Sequence, residues 1–195
     1  MNYPLDLSFK ILAIAKQVFV HDASGKLVFY VKQKAFKLKE AITVFADEGQ
    51  TQPLYHINAD RVFDFSARYN FSDARTNATL GSIKRDGMRS IWKSRYNVLA
   101  GEASEFSISE ENAWVKVIDA LVGEIPVVGM FSGYFFNPSY IVTRADGVPV
   151  MRLTKQPALL EGKFRMEKLA ELRPDEENRV VLGLLMMTLL ERMRG

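Results

Sequence analysis

Cysteine is absent from this chain. Its absence excludes disulfides, thiolate metal sites, cysteine nucleophiles and acylated-cysteine membrane anchors together. Histidine is scarce: His21 and His56 sit on separate candidate strands with no second ligand at metal-binding spacing, so no metal centre is expected from them. A Gly-rich phosphate loop, a nucleophile elbow and paired helix histidines are missing too. Asp60, Asp64 and Asp73 lack the dense spacing of a calcium loop and read as solvated turn and strand carboxylates. With no acid, base, nucleophile or metal set in view, the expectation is a protein that is not an enzyme and carries no cofactor. The opening Met1-Asn2-Tyr3-Pro4-Leu5-Asp6 has no basic segment followed by an apolar one and no myristoylation pattern, so a cytoplasmic location is expected.

What is present is ordinary globular composition, 48% hydrophobic and 25% charged, in a length that suits one domain over residues 1–195. The net charge of +3 is modest, yet it permits attraction to anionic surfaces.

The chain is organised around its last segment. Pro174 to Arg194 reads as one helix, and from Val180 to Leu190 only Gly183 and Thr188 interrupt large aliphatic or Met side chains. A helix without a polar face is normally buried. At about 1.5 Å per residue the apolar waist is roughly 17 Å long, short of the ~30 Å hydrocarbon core of a bilayer, so protein should wrap it. Pro174, Asp175, Glu176 and Glu177 suit a helix N-terminus, and Arg192 and Arg194 suit the opposite end of the dipole.

From Leu5 to about Lys168 the dominant signal is period-two alternation broken by turn residues, the pattern of an all-β sandwich or barrel. Three hairpins stand out: Val18 to Lys32 around Ala23-Ser24-Gly25, Leu80 to Val98 around Arg85-Asp86-Gly87, and Tyr140 to Leu153 around Ala145-Asp146-Gly147. Asp followed by Gly supplies the positive φ that tight turns need. Further strands are expected at Ile42 to Ala46, Leu54 to Ile57, Val62 to Arg68, Phe106 to Ile108, Met130 to Phe136 and Phe164 to Lys168. About twelve strands exceed what an open twisted sheet carries comfortably, so closure is expected. One amphipathic surface helix is predicted, capped by Ser109, carrying Trp114, Val117, Ile118, Leu121 and Val122 on one side, and stopped by Gly123.

Taken in order, Val18-Phe19-Val20-His21-Asp22-Ala23-Ser24-Gly25-Lys26-Leu27-Val28-Phe29, the Gly81 to Gly87 hairpin and the acidic-to-apolar terminal helix resemble the LURP-one-related proteins. Glu124-Ile125-Pro126 through Asn137-Pro138-Ser139-Tyr140 looks typical of the bacterial members. These proteins belong with the tubby C-terminal domains and the phospholipid scramblases. The resemblance implies a mainly β (α+β) fold: a closed antiparallel barrel of about twelve strands, tubby C-terminal-like, around a central hydrophobic C-terminal helix. For function it points two ways, to phosphoinositide headgroup binding through basic side chains and to membrane-attached, calcium-responsive scrambling. The chain departs from scramblases in lacking cysteines, a proline-rich leader and an acidic calcium-like loop.

The candidate anion site is Arg89, Lys93 and Arg95, which share one face of a strand while Ser90, Trp92, Ser94 and Tyr96 take the other. Cations spaced i and i+2 beside aromatics suit a phosphate or headgroup. The competing reading is a solvated strand face that discourages edge pairing. Lys32, Lys34, Lys37 and Lys39 form a second basic run, and Phe131 to Pro138 an aromatic one whose default reading is core. Nothing resembles a nucleic-acid-binding module. The expectation is a non-catalytic cytoplasmic binding or scaffold domain, peripheral at the membrane, with an anionic phospholipid headgroup or a protein as partner. The alternative is a scramblase-like, membrane-active protein whose C-terminal helix inserts into lipid.

Overall fold

The computed structural model describes residues 1–12, 15–33, 41–61, 67–86, 95–111, 138–158 and 162–192. Within these residues lie strands β1 (Leu5–Leu12), β2 (Ala15–His21), β3 (Leu27–Gln33), β4 (Ile42–Phe45), β5 (Pro53–Ala59) and β6 (Arg68–Asp73). They continue as β7 (Thr79–Arg85), β8 (Arg95–Ala100), β9 (Ala103–Glu110), β10 (Ser139–Arg144), β11 (Pro149–Gln156) and β12 (Lys163–Lys168), followed by helix α1 (Pro174–Arg192). Each strand pairs antiparallel with its neighbour in sequence, and β12 returns to β1, so the sheet closes into a barrel.

Alternation explains the wall. Leu5, Leu7 and Phe9 of β1, Val18 and Val20 of β2, and Val98 of β8 turn inward and are buried in one apolar cluster. The residues between them face out: Asp6 meets Arg165 across the closing β1–β12 pair, with Arg165 Nε donating to Oδ1 at 2.8 Å and Nη2 to Oδ2 at 3.2 Å. Both partners are about half exposed, so solvent screens the pair and its contribution to stability is small. His21 packs outside the wall, stacked on Phe19, and His56 faces Thr43 across β4 and β5 at 3.3 Å. The least connected junction is β3 with β4, joined among the described residues by one register pair, Tyr30 with Phe45.

α1 fills the lumen, and every residue from Arg179 to Leu189 is buried. Its apolar side chains join the cluster formed by the inward faces of the strands. Gly183 lets the helix lie against the wall, because a Cβ there would stand 3.0 Å from Val98 Cγ2 on β8. The helix expected at Pro174 to Arg194 is thus present at Pro174–Arg192, inside the barrel.

Strand direction sorts the connections between two rims. At the near rim, where α1 begins, lie the turns at 22–26, 46–52, 74–78, 101–102 and 145–148. At the far rim, where α1 ends, lie the β3–β4, β5–β6, β7–β8 and β9–β10 connections, the longest in the chain. The strand expected at 62–68 meets the described structure only at its last two residues, and β6 runs on from Arg68 to Asp73. The remainder of that segment, the Met130 to Phe136 strand and the body of the Trp114 helix lie outside the described residues, whereas the expected cap Ser109 is not at a helix start but lies in β9, paired with Arg95 and Ile141. β1 is an additional strand at the start of the alternating region.

Candidate functional site

The near rim is fastened. Asp22 accepts from the Ser24 and Lys26 backbone N–H groups, Asp47 from those of Thr51 and Gln52, and Asp73 from those of Arg75 and Thr76. Hydrogen bonds to the charged form hold all three carboxyls below the usual aspartate range, led by the Ser24 hydroxyl at Asp22 and by backbone N–H groups at Asp47 and Asp73. These are turn-closing carboxylates.

Ion pairs then tie α1 to the same rim. Glu176 in the first turn accepts from the Arg173 backbone N–H at 2.9 Å, the reaching-back half of a capping box. Arg179, one turn further and buried, donates from Nε to the Leu80 carbonyl at 2.6 Å and from Nη2 to Asp175 at 3.2 Å, and it pairs with Glu105 of β9. Gly81 makes room for it: φ is +139°, and a Cβ would sit 2.5 Å from the Leu99 carbonyl and 2.6 Å from Arg179 Cδ. Arg144 Nη2 donates to the Glu171 carbonyl at 3.0 Å and lies 3.6 Å from Glu176. The near-rim guanidiniums of Arg144 and Arg179 are therefore answered by acids.

The far rim is built differently. β7 ends and β8 begins there, closed by the Asp86 N–H donating to the Arg95 carbonyl at 2.9 Å. Arg85 and Tyr96 are register partners on the inner side of this hairpin. Tyr96, buried, donates its hydroxyl to Glu191 Oε1 on the last turn of α1 at 2.5 Å. Burial, with the Glu191 carboxylate added, pushes the Tyr96 phenol well above its ordinary range. Tyr140 of β10 stands nearby and is pushed up to about 12, first by burial and then by Glu191 and Glu110. Arg192 lies over the Phe9 ring at 4.5 Å, and burial lowers its pKa. Glu111 receives Arg152 through two contacts of 3.1 and 3.0 Å and the Ser139 hydroxyl at 2.5 Å.

Arg85 differs from its counterparts. Its Nε is buried without a hydrogen-bond partner, and among the described residues no carboxylate forms an ion pair with its guanidinium. A buried donor without an acceptor costs about 1–3 kcal/mol.

Of the sequence-predicted site, Arg95 is the described member: exposed, at the start of β8, beside Ser109 of β9 and facing away from the inward Tyr96. Arg89 and Lys93 lie outside the described residues, as do Lys34, Lys37 and Lys39 of the second basic run; Lys32 is exposed near the end of β3. In the sequence Arg85 reads as a turn arginine beside Asp86; only the β7–β8 register turns it inward, opposite Tyr96. Among the described residues no group of His, Asp and Glu is arranged to hold a metal, and no helix is long and apolar enough to cross a membrane.

Comparison with known proteins gives a consistent picture. The X-ray structure of a protein from Arabidopsis thaliana matches 100% of this chain and 94% of its own, with a TM-score of 0.51 at 14% sequence identity, a likeness of fold. No curated protein sequence matches. The model of the LURP-one-related family matches residues 27–167, which takes in all strands from β3 to β11 and nearly all of β12. The chain belongs to the LURP-one-related family.

Proposed function

We propose that this protein is a non-catalytic binding domain that meets an anionic phospholipid headgroup at the far rim, peripherally, on the cytoplasmic side of a membrane. The observation that carries the reading is the segregation of charge by topology. Strand direction brings Lys32, Arg85, Arg95, Lys155, Lys163 and Arg192 to the far rim, where basic residues outnumber acidic ones among the described residues. Asp22, Asp47, Asp73, Glu102, Asp146 and the first turn of α1 crowd the near rim. A modest net charge thus becomes a two-ended one, and a surface of like charges steers anions. The lumen offers no competing place for a ligand along α1, whose side chains occupy it from Arg179 to Leu189. Insertion of α1 into lipid is disfavoured in this reading, since it requires breaking the Arg179 contacts and exposing the inner wall.

Flotation of the full chain with vesicles tests this. Binding is expected to vesicles containing anionic phospholipid, weakening as salt rises, and not to purely zwitterionic vesicles. Equal, negligible recovery with both would remove the headgroup and leave a protein partner as the occupant of the rim.

A further inference from the structure

The far rim contains a cation placed to receive something. Arg85 is on the inner side of β7 at the barrel mouth, half-buried, with Nε sealed from water and unpartnered. Its register partner Tyr96 turns its hydroxyl proton to Glu191, and no described residue accepts from the Arg85 Nε. Arg144, the comparable arginine of the near rim, also has an unpartnered Nε, but its Nη2 reaches the Glu171 carbonyl and faces Glu176. Interior arginines are ordinarily fixed by carboxylates or carbonyls, because the guanidinium fork is costly to desolvate without an acceptor. A guanidinium whose buried Nε has no acceptor among the described residues, on the inner side of the far rim, has the chemistry of an oxyanion receptor.

We propose that Arg85 receives one anionic oxygen-bearing group, a phosphate ester or phosphate itself, within the far-rim mouth, while the outward Arg95 contributes only long-range attraction. The proposal deepens the headgroup reading and rests on it for the lipid source of the phosphate; free phosphate shares the same chemistry. Planar two-point contact is what distinguishes this site from a charged surface, so Arg85→Lys should bind less well than the parent despite keeping the charge.

The test combines vesicle flotation with thermal melting in rising inorganic phosphate, on the full chain and on Arg85→Met, Arg85→Lys and Arg95→Met. The expected result is a loss of about tenfold or more in apparent vesicle affinity for Arg85→Met, the size of one charge-assisted contact. A smaller loss is expected for Arg95→Met, and a phosphate-dependent rise in melting temperature should disappear with Arg85. If the parent floats and both Arg85 variants float equally well, the Arg85 site is overturned while the headgroup reading stands. If the parent does not float but phosphate raises its melting temperature through Arg85, the site stands with a soluble ligand and the headgroup reading falls. Absence of both responses overturns both. Should Arg85→Met fail to fold, Arg85→Lys against the parent decides the matter.

Discussion

The two rims of the barrel differ in how their charges are spent. At the near rim three aspartates each close a turn on the backbone, and the first turn of α1 is held through Arg173, Arg179 and Arg144. Charge there is spent internally, by the aspartates on their own turns and by Arg144 and Arg179 on carbonyls and acids of the same rim. At the far rim the Tyr96–Glu191 contact anchors the last turn of α1, but Arg85 is unanswered and Arg95, Lys32, Lys155 and Lys163 are exposed. One end of the molecule is committed to holding the start of the helix, and the other carries exposed cations.

Breaking the helix should have the largest effect. Truncation after Arg179 removes the buried run from Val180 to Leu189, whose large side chains are worth about 1.5–3 kcal/mol each. Whole-domain net stability is about 5–15 kcal/mol. No cooperative melt is expected by circular dichroism, and a soluble truncate with a sharp transition would contradict the account of the core. Next comes the contrast between two arginines. Arg179→Met should cost about 3–5 kcal/mol by denaturant unfolding, since it strands the Leu80 carbonyl and leaves Glu105 with the exposed Arg173 at 3.5 Å. Arg85→Met should fall within about 0.5 kcal/mol of the parent or above it, because it removes an unsatisfied donor. Similar costs for both would erase the difference between the rims.

The smallest effect concerns acid. The Asp22, Asp47 and Asp73 carboxyls are depressed below 3.8 in the folded chain. A depressed folded value means that the stabilisation is complete above the unfolded value and is lost as pH falls through the folded one. Melting temperature should therefore decline below about pH 4, and Asp73→Ala should flatten part of that decline. A variant whose acid profile overlays the parent would show that the turn carboxylates do not contribute.

Much of the architecture could be read in the sequence. The hairpins at Asp22 to Lys26 and Arg144 to Val148 were marked by Asp, Gly and flanking alternation, and they lie where that pattern put them. β6 runs to Asp73, beyond the expected end at Arg68, because alternation continues through Phe71 and period two alone does not say where a strand ends. Turns at 74–78 and 101–102 carry no Asp-Gly pair; Asn77 and Gly101 supply their positive φ instead. The candidate site is legible in part: Arg95 is exposed and outward as the alternation implies, whereas Arg85, one strand away, reads as a turn residue and lies at the end of β7.

The sequence by itself determined that the waist from Val180 to Leu190 must be buried, as it is through Leu189, and that the alternating segments before it must supply the wall. Burial of apolar surface is non-directional and can be judged residue by residue along the chain. Which cations would be answered was decided only by the tertiary structure. Arg179 finds the Leu80 carbonyl and Glu105 at separations of 99 and 74 residues, and Arg144 finds the Glu171 carbonyl 27 residues on. Arg85 is as basic as either in the sequence, and only barrel closure and strand register, which set those distant pairings, leave it without a partner.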